Sequence, residues 1–144
     1  MEIYHKTAGR GAQPLLGIAP DDRGLPPEAD VKRLEEFGAE VRRLFGKPLA
    51  TAPASNPASI AFPGPRRVDR VVLQEDLAHG RMVRRFRVEA RVGERRVDVS
   101  RGTTIGHKRI LVFEPVNATA VRAEVEAAMG PARLKPIAVS DGGR

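Results

Sequence analysis

The sequence predicts a mainly β protein, an antiparallel β-sandwich preceded by one amphipathic α-helix. Three observations carry this prediction. Between Val71 and Ile110 the chain alternates in character: Val71 and Leu73 with Val72 and Gln74, Phe86, Val88, Ala90 and Val92 with Arg85, Arg87, Glu89 and Arg91, and Val97 and Val99 with Arg96, Asp98 and Ser100. A period of two sends alternate side chains to opposite faces of a sheet, so one face is apolar and covered by a core. Gly80, Gly93 and Gly102 fall between these runs as turn punctuation. Residues 28–45 instead repeat at three- and four-residue steps through Val31, Leu34, Phe37, Val41, Leu44 and Phe45, which gives one apolar helical stripe.

Residues 1–24 show no periodic element of any length. Leu15 to Ile18 form a short apolar run that reads as one buried strand. Gly9-Arg10-Gly11 lacks a preceding strand and any following Gly-Lys-Ser/Thr, so it is a turn rather than a nucleotide-binding loop. Pro26-Pro27 starts the helix, and Gly46 and Pro48 stop it. Residues 47–57, rich in Pro, Ala and Ser, read as a linker.

Residues 58–140 then read as the sandwich. Ala58 to Phe62 is a strand, and Ile110 to Phe113 is a short strand that Pro115 ends. Val121, Ala123 and Val125 alternate with Arg122, Glu124 and Glu126. Leu134 to Val139 is a closing strand, which Pro136 confines to an edge or a bulge. Asp141 to Arg144 reads as a frayed tail.

The 144 residues suffice for one domain with a real core, but not for a (β/α)8 barrel of roughly 250 residues. No apolar run is long enough to span a membrane, and Met1 to Lys6 carry no apolar signal-peptide region. There is no Cys, which excludes disulfides and thiolate metal sites. The net charge of +7 would suit a polyanion partner. The excess of Arg over Lys also fits a compositional bias with arginines on outward strand positions, and the scarcity of aromatic side chains argues against nucleic acid.

Catalytic chemistry finds no support in the residues, and no cofactor is implied. Adjacent Glu75 and Asp76 would point to opposite faces of a strand and so make no carboxylate dyad. His5, His79 and His107 match no metal-ligand spacing. No serine lies in a Gly-x-Ser-x-Gly elbow. The remaining candidate is a binding or domain-docking surface of Glu75, Arg81, His107, Lys108 and Arg109, which lie at turns following strands. The alternative for the Gly102 to Gly106 loop is that it only shapes a turn and docks domains.

Two stretches carry a resemblance: Val72-Leu73-Gln74-Glu75-Asp76 and Gly102-Thr103-Thr104-Ile105-Gly106-His107-Lys108-Arg109-Ile110. In order and spacing they resemble the C-terminal sandwich of bacterial α-L-fucosidases, glycoside hydrolase family 29. The resemblance implies a galactose-binding-like (discoidin-like) fold. His5, Gly9 to Ala12, Leu15-Leu16 and Pro20 to Leu25 are similar to the end of that family's catalytic barrel, so 1–46 would be a barrel remnant of one short strand plus the helix. Gln13, Pro14 and Gly17 depart from the family pattern, as does Arg96, where the family often has Trp. Roughly thirty residues of early sandwich are absent, which makes the sandwich incomplete.

The resemblance implies a C-terminal piece of an enzyme that hydrolyses terminal α-L-fucosyl residues, inactive alone because the family's catalytic carboxylates lie upstream of anything matched here. The alternatives are a free-standing carbohydrate-binding module and a basic polyanion binder. The expected partners are fucosylated glycans or a missing catalytic domain, with self-association through open sheet edges. Intact relatives are often exported.

Overall fold

The structure, a computed structural model, describes residues 1–143. Six strands form one antiparallel sheet: β1 (Ala50–Ala52), β2 (Ala58–Leu73), β3 (Val83–Val92), β4 (Arg95–Gly102), β5 (Arg109–Ala128) and β6 (Ile137–Ser140). Their order across the sheet is β1-β6-β2-β5-β3-β4. Two helices, α1 (Glu2–Lys6) and α2 (Glu28–Phe45), precede it.

The sheet is built on β2 and β5, which run antiparallel along most of their length with two breaks in register. In the first, residues 62–65 of β2 lie between the Ala61↔Ala120 and Arg66↔Ala118 pairs, so Pro63 and Pro65 fall where no ladder bond is required of them. In the second, residues 113–115 of β5 lie between the Val68↔Val116 and Arg70↔Val112 pairs. Pro115 therefore sits in a bulge inside a long strand and does not end the Ile110 run as the sequence predicts. A bulge supplies the same relief from donation that a strand end would.

These bulges also change which side chains face inward. Ala58, Ile60 and Val68 are buried before the second break, and Val71 and Leu73 after it, so the buried parity moves by one. The sheet thereby curls around a single core. Phe86, Val88, Ala90, Val121 and Ala123 from one end meet Val71, Leu73, Ile137 and Val139 from the other. The alternation read in the sequence at Val71–Leu73, Phe86–Ala90 and Val121–Ala123 marks these inward positions.

On the outer face, Arg87 lies 3.1 Å from Glu124, its ladder neighbour, and 3.5 Å from Glu126, 3.6 Å from Glu89 and 3.9 Å from Asp98. Several of the outward arginines are thus absorbed in cross-strand ion pairs.

Other segments depart from the sequence reading. The 47–57 linker contains β1, which pairs with β6, and Leu49 N–H also donates to Val139 O (2.8 Å). β6 begins just after Pro136 and lies between β1 and β2, so it is neither an edge strand nor bulged. Asp141 to Gly143 are tied down: Gly142 is buried, its N–H donates to Asp69 (2.9 Å), and Arg43 donates to its carbonyl (2.5 Å). Arg144 lies outside the described residues.

Leu15 to Ile18 form no strand, and Leu15 is 97% exposed. Pro14 has no N–H, and among the described residues no neighbouring strand takes the segment's remaining backbone donors.

Helix α2 keeps its predicted limits. Leu44 is buried, and Phe37 and Phe45 pack on Tyr4 of α1 with ring centroids 6.0 and 5.6 Å apart. The stripe's first half stays open, with Val31 and Leu34 each 39% exposed. No helix among the described residues is long and apolar enough to cross a membrane.

At the end of β4, Gly102 faces the fully buried Phe86 ring. A Cβ there would meet two ring carbons at 2.6 Å. Gly102→Ala should overpack this contact and cost about 1–3 kcal/mol, read as a lower urea midpoint with an unchanged slope. An unchanged midpoint would show that Phe86 has room to move.

Candidate functional site

Glu75 follows β2, is 1% exposed and forms an isolated antiparallel bridge with Leu134. Its Oε1 accepts the N–H groups of Met82 (2.5 Å) and Val83 (3.0 Å), and its Oε2 accepts that of Gly106 (3.1 Å). Its own N–H donates to Gly106 O at 2.9 Å. One buried carboxylate thus ties the 102–108 loop to the start of β3. On its other side, Asp76 N–H donates to Arg133 O (2.7 Å) and Lys135 N–H to Gln74 O (2.9 Å). Both Glu75 oxygens already serve backbone donors, so this side chain is a structural tie. Asp76 caps the short 3-10 turn Leu77–His79 by accepting from Ala78 N–H (3.1 Å). The two neighbouring carboxylates have separate jobs.

The other sequence candidates divide between solvent and interior. Arg81 and His107 are exposed. Arg81 lies across Gly106, where a Cβ would be 3.6 Å from its Nε, so these two candidates share one patch of surface. His107 O accepts from Gln74 Nε2 at 3.2 Å.

Lys108 turns inward. Its Nζ donates to Tyr4 Oη (3.3 Å) and sits 5.6 and 5.8 Å from the Tyr4 and Phe45 ring centroids. It fastens the N-terminal segment and α2 to the sheet. Arg109 opens β5 opposite Leu73 and is half-buried. Burial, and then the charge of Arg10, hold its pKa below the usual arginine value. Among the described residues no group of three or more His, Asp or Glu side chains could hold a metal ion.

Sequence reasoning missed a polar cleft of about 710 Å³ lined by His5, Arg43, Arg67, Asp69, Arg70 and Gly142, among others. Asp69 is buried next to the break in register, where its oxygen lies 3.5 Å from Arg70 and accepts from Gly142 N–H. Arg70 Nε and Nη1 and His5 Nε2 are buried there without a hydrogen-bond partner among the described residues. Burial first, and then the Arg70 charge, lower the His5 pKa. The available signal was Asp69-Arg70 itself, a charged pair in the middle of an apolar strand run.

Two outcomes follow. Glu75→Ala strands three donors, two of them buried, and should cost about 3 kcal/mol or more, measured by urea unfolding. A loss under about 1 kcal/mol would mean that water replaces the carboxylate. His5 has a folded-state pKa below its ordinary 6.5, so the unfolded chain takes up the proton more readily. Its contribution to stability is full above that value and is lost as pH falls toward the folded pKa. His5→Gln should shrink the difference between urea midpoints at about pH 5 and about pH 7.5. An unchanged difference would assign that pH dependence to other groups.

No protein-family model matches the chain. A solved structure from Bacteroides thetaiotaomicron, described as an α-L-fucosidase, superposes with a TM-score of 0.90 at 32% identity, over 97% of this chain and 33% of that one. A glycoside hydrolase 29 family member from an unknown rumen bacterium gives 0.87 at 27% identity, over 98% of this chain and 28% of that one. α-L-Fucosidase 1 of Arabidopsis thaliana is 28% identical over 151 aligned positions, which cover 78% of this chain and 30% of that protein. The chain spans about a third of the length of these relatives. Over nearly all of its own length, then, the chain is related to part of the α-L-fucosidases of glycoside hydrolase family 29.

Proposed function

We propose that the chain serves as the sheet-bearing C-terminal part of an α-L-fucosidase. In this reading it docks on a catalytic domain through the apolar face of residues 1–34 and does not cleave α-L-fucosides by itself. The observation that carries the reading is the concentration of open apolar side chains in that segment. Ile3 (65% exposed), Leu15 (97%), Leu16 (54%) and Leu25 (55%) lie there together with the open half of the α2 stripe. A groove of about 510 Å³ runs between α1, residues 14–18 and α2, with Ile3, Tyr4, Leu16, Ile18, Leu34 and Phe37 in its lining. Contiguous open apolar surface on this scale marks an interaction face.

The expectation of no activity is supported by the two carboxylates adjacent in sequence. Retaining glycoside hydrolysis needs a free nucleophile and a general acid about 5–5.5 Å apart. Glu75 is saturated by backbone donors, and Asp76 caps a turn.

A second reading is glycan binding by the chain alone, through the exposed patch that Arg81 and His107 share across Gly106.

The test is hydrolysis of a chromogenic α-L-fucoside by the purified chain, with its fold checked by circular dichroism. The expected result is a folded sample and no turnover above the uncatalysed rate. Sustained turnover would overturn the reading. Binding of a fucosylated oligosaccharide without turnover would favour the second one.

A further inference from the structure

The Gly9–Gly11 turn carries a basic side chain to the start of β5. Arg10 N–H donates to Thr7 O (2.8 Å), Gly11 N–H to Ala8 O (3.2 Å) and Ala12 N–H to Thr7 O (3.0 Å), which closes the turn on itself. Its glycines then press on the sheet. A Cβ on Gly9 would lie 3.3 Å from Ile110 Cβ, and one on Gly11, where φ is +79°, 3.4 Å from Lys108 N. Contacts this close fix the turn against β5 and set Arg10 beside Arg109.

Between them opens a cavity of about 250 Å³, lined by His5, Lys6, Arg10, Ser100, Arg109 and the apolar run 110–112. No carboxylate lines it. Among the described residues Arg10 and Arg109 take part in no ion pair, while Lys6 holds only the exposed Glu2 at 2.5 Å.

Partly buried arginines are ordinarily paired, because desolvation of an unpaired charge is costly. Half-buried Arg109 instead has Arg10, exposed on its turn, as a like-charged neighbour, and burial first, then that charge, lower the Arg109 pKa. An anion between them would remove both penalties together. The donors come from four elements, α1, the Gly9–Gly11 turn, β4 and β5. A tetrahedral oxyanion presents an oxygen toward each of them, whereas a carboxylate presents two in one plane. Ile110 to Val112 add an apolar wall beside these donors.

We propose that this cavity is a binding site for a sulfate or phosphate group, gripped by Arg10 and Arg109 with Lys6 and Ser100 as flanking donors. The site stands independently of the fucosidase reading. The ligand is either the free ion or the same group esterified to a sugar.

The test is isothermal titration of the full chain with sodium sulfate, sodium phosphate and galactose 6-sulfate, with sodium chloride keeping ionic strength constant. Saturable binding of at least one oxyanion is expected. Arg10→Gln and Arg109→Gln should each weaken it by about tenfold or more, the loss of one charge-assisted donor pair. Arg10 is exposed on a turn, so its variant should fold even if Arg109→Gln does not. Tighter binding of the sugar sulfate than of inorganic sulfate would identify a glycan ester as the source, and equal or weaker binding the free ion. No saturable heat with any of the three probes overturns the proposal, as does binding that Arg10→Gln leaves unchanged.

Discussion

The loop end of this sheet depends on one buried carboxylate. Taking an ionised glutamate out of water is costly unless its oxygens are fully engaged. Glu75 meets that condition with the N–H groups of Met82, Val83 and Gly106. The same three bonds hold two separate connections together, β2 to β3 and β4 to β5, which no apolar side chain of that size could do. The neighbouring backbone bonds of Gln74 and Asp76 extend the tie to residues 133–135. The 102–108 loop thereby serves as a bearing surface: Gly106 lies against Arg81 on one side, and Lys108, with Ile110 of β5, receives the N-terminal segment on the other.

A second constraint shapes the body of the sheet. Pro63, Pro65 and Pro115 cannot donate to a ladder, and each lies where β2 and β5 fall out of register. The prolines and the curl are two aspects of one device. The break in register changes buried parity along β2, bends the ribbon and lets Phe86 and Val139 enter the same core. It also leaves Asp69 facing inward, where the C-terminal tail must satisfy it.

What was legible in the sequence is local. Phe86, Val88 and Ala90 announce their strand by alternation, and α2 announces itself by its stripe and its flanking prolines and glycine. What was not legible depends on distant partners. Pro115 reads as a stop until the matching irregularity in β2 is known. β1 is three residues of Ala-Thr-Ala, recognisable as a strand only once β6 lies beside it. Of the candidate binding residues, Glu75 and Lys108 are polar side chains whose partners lie on other elements, so their burial could not be read from neighbours in sequence. The resemblance to the fucosidases identified the 102–110 loop as special, but not whether that importance was catalytic, adhesive or architectural. Geometry gives Glu75 and Lys108, two of the five candidate residues, architectural contacts.

The placement of β6 has a consequence for the order in which the protein is made. This strand is inserted between β1 and β2, although it is synthesised more than sixty residues after either of them. Until Ile137 to Ser140 leave the ribosome, β2 presents a bare hydrogen-bonding edge, and Ala50 to Ala52 have nothing to pair with. Gly142, whose backbone joins α2 to Asp69, comes later still. The nascent chain can close the β2–β5–β3–β4 half early, yet it must wait for Ile137 to Ser140 to seal the other edge. Such late, long-range closure is slow and leaves an adhesive strand open during synthesis.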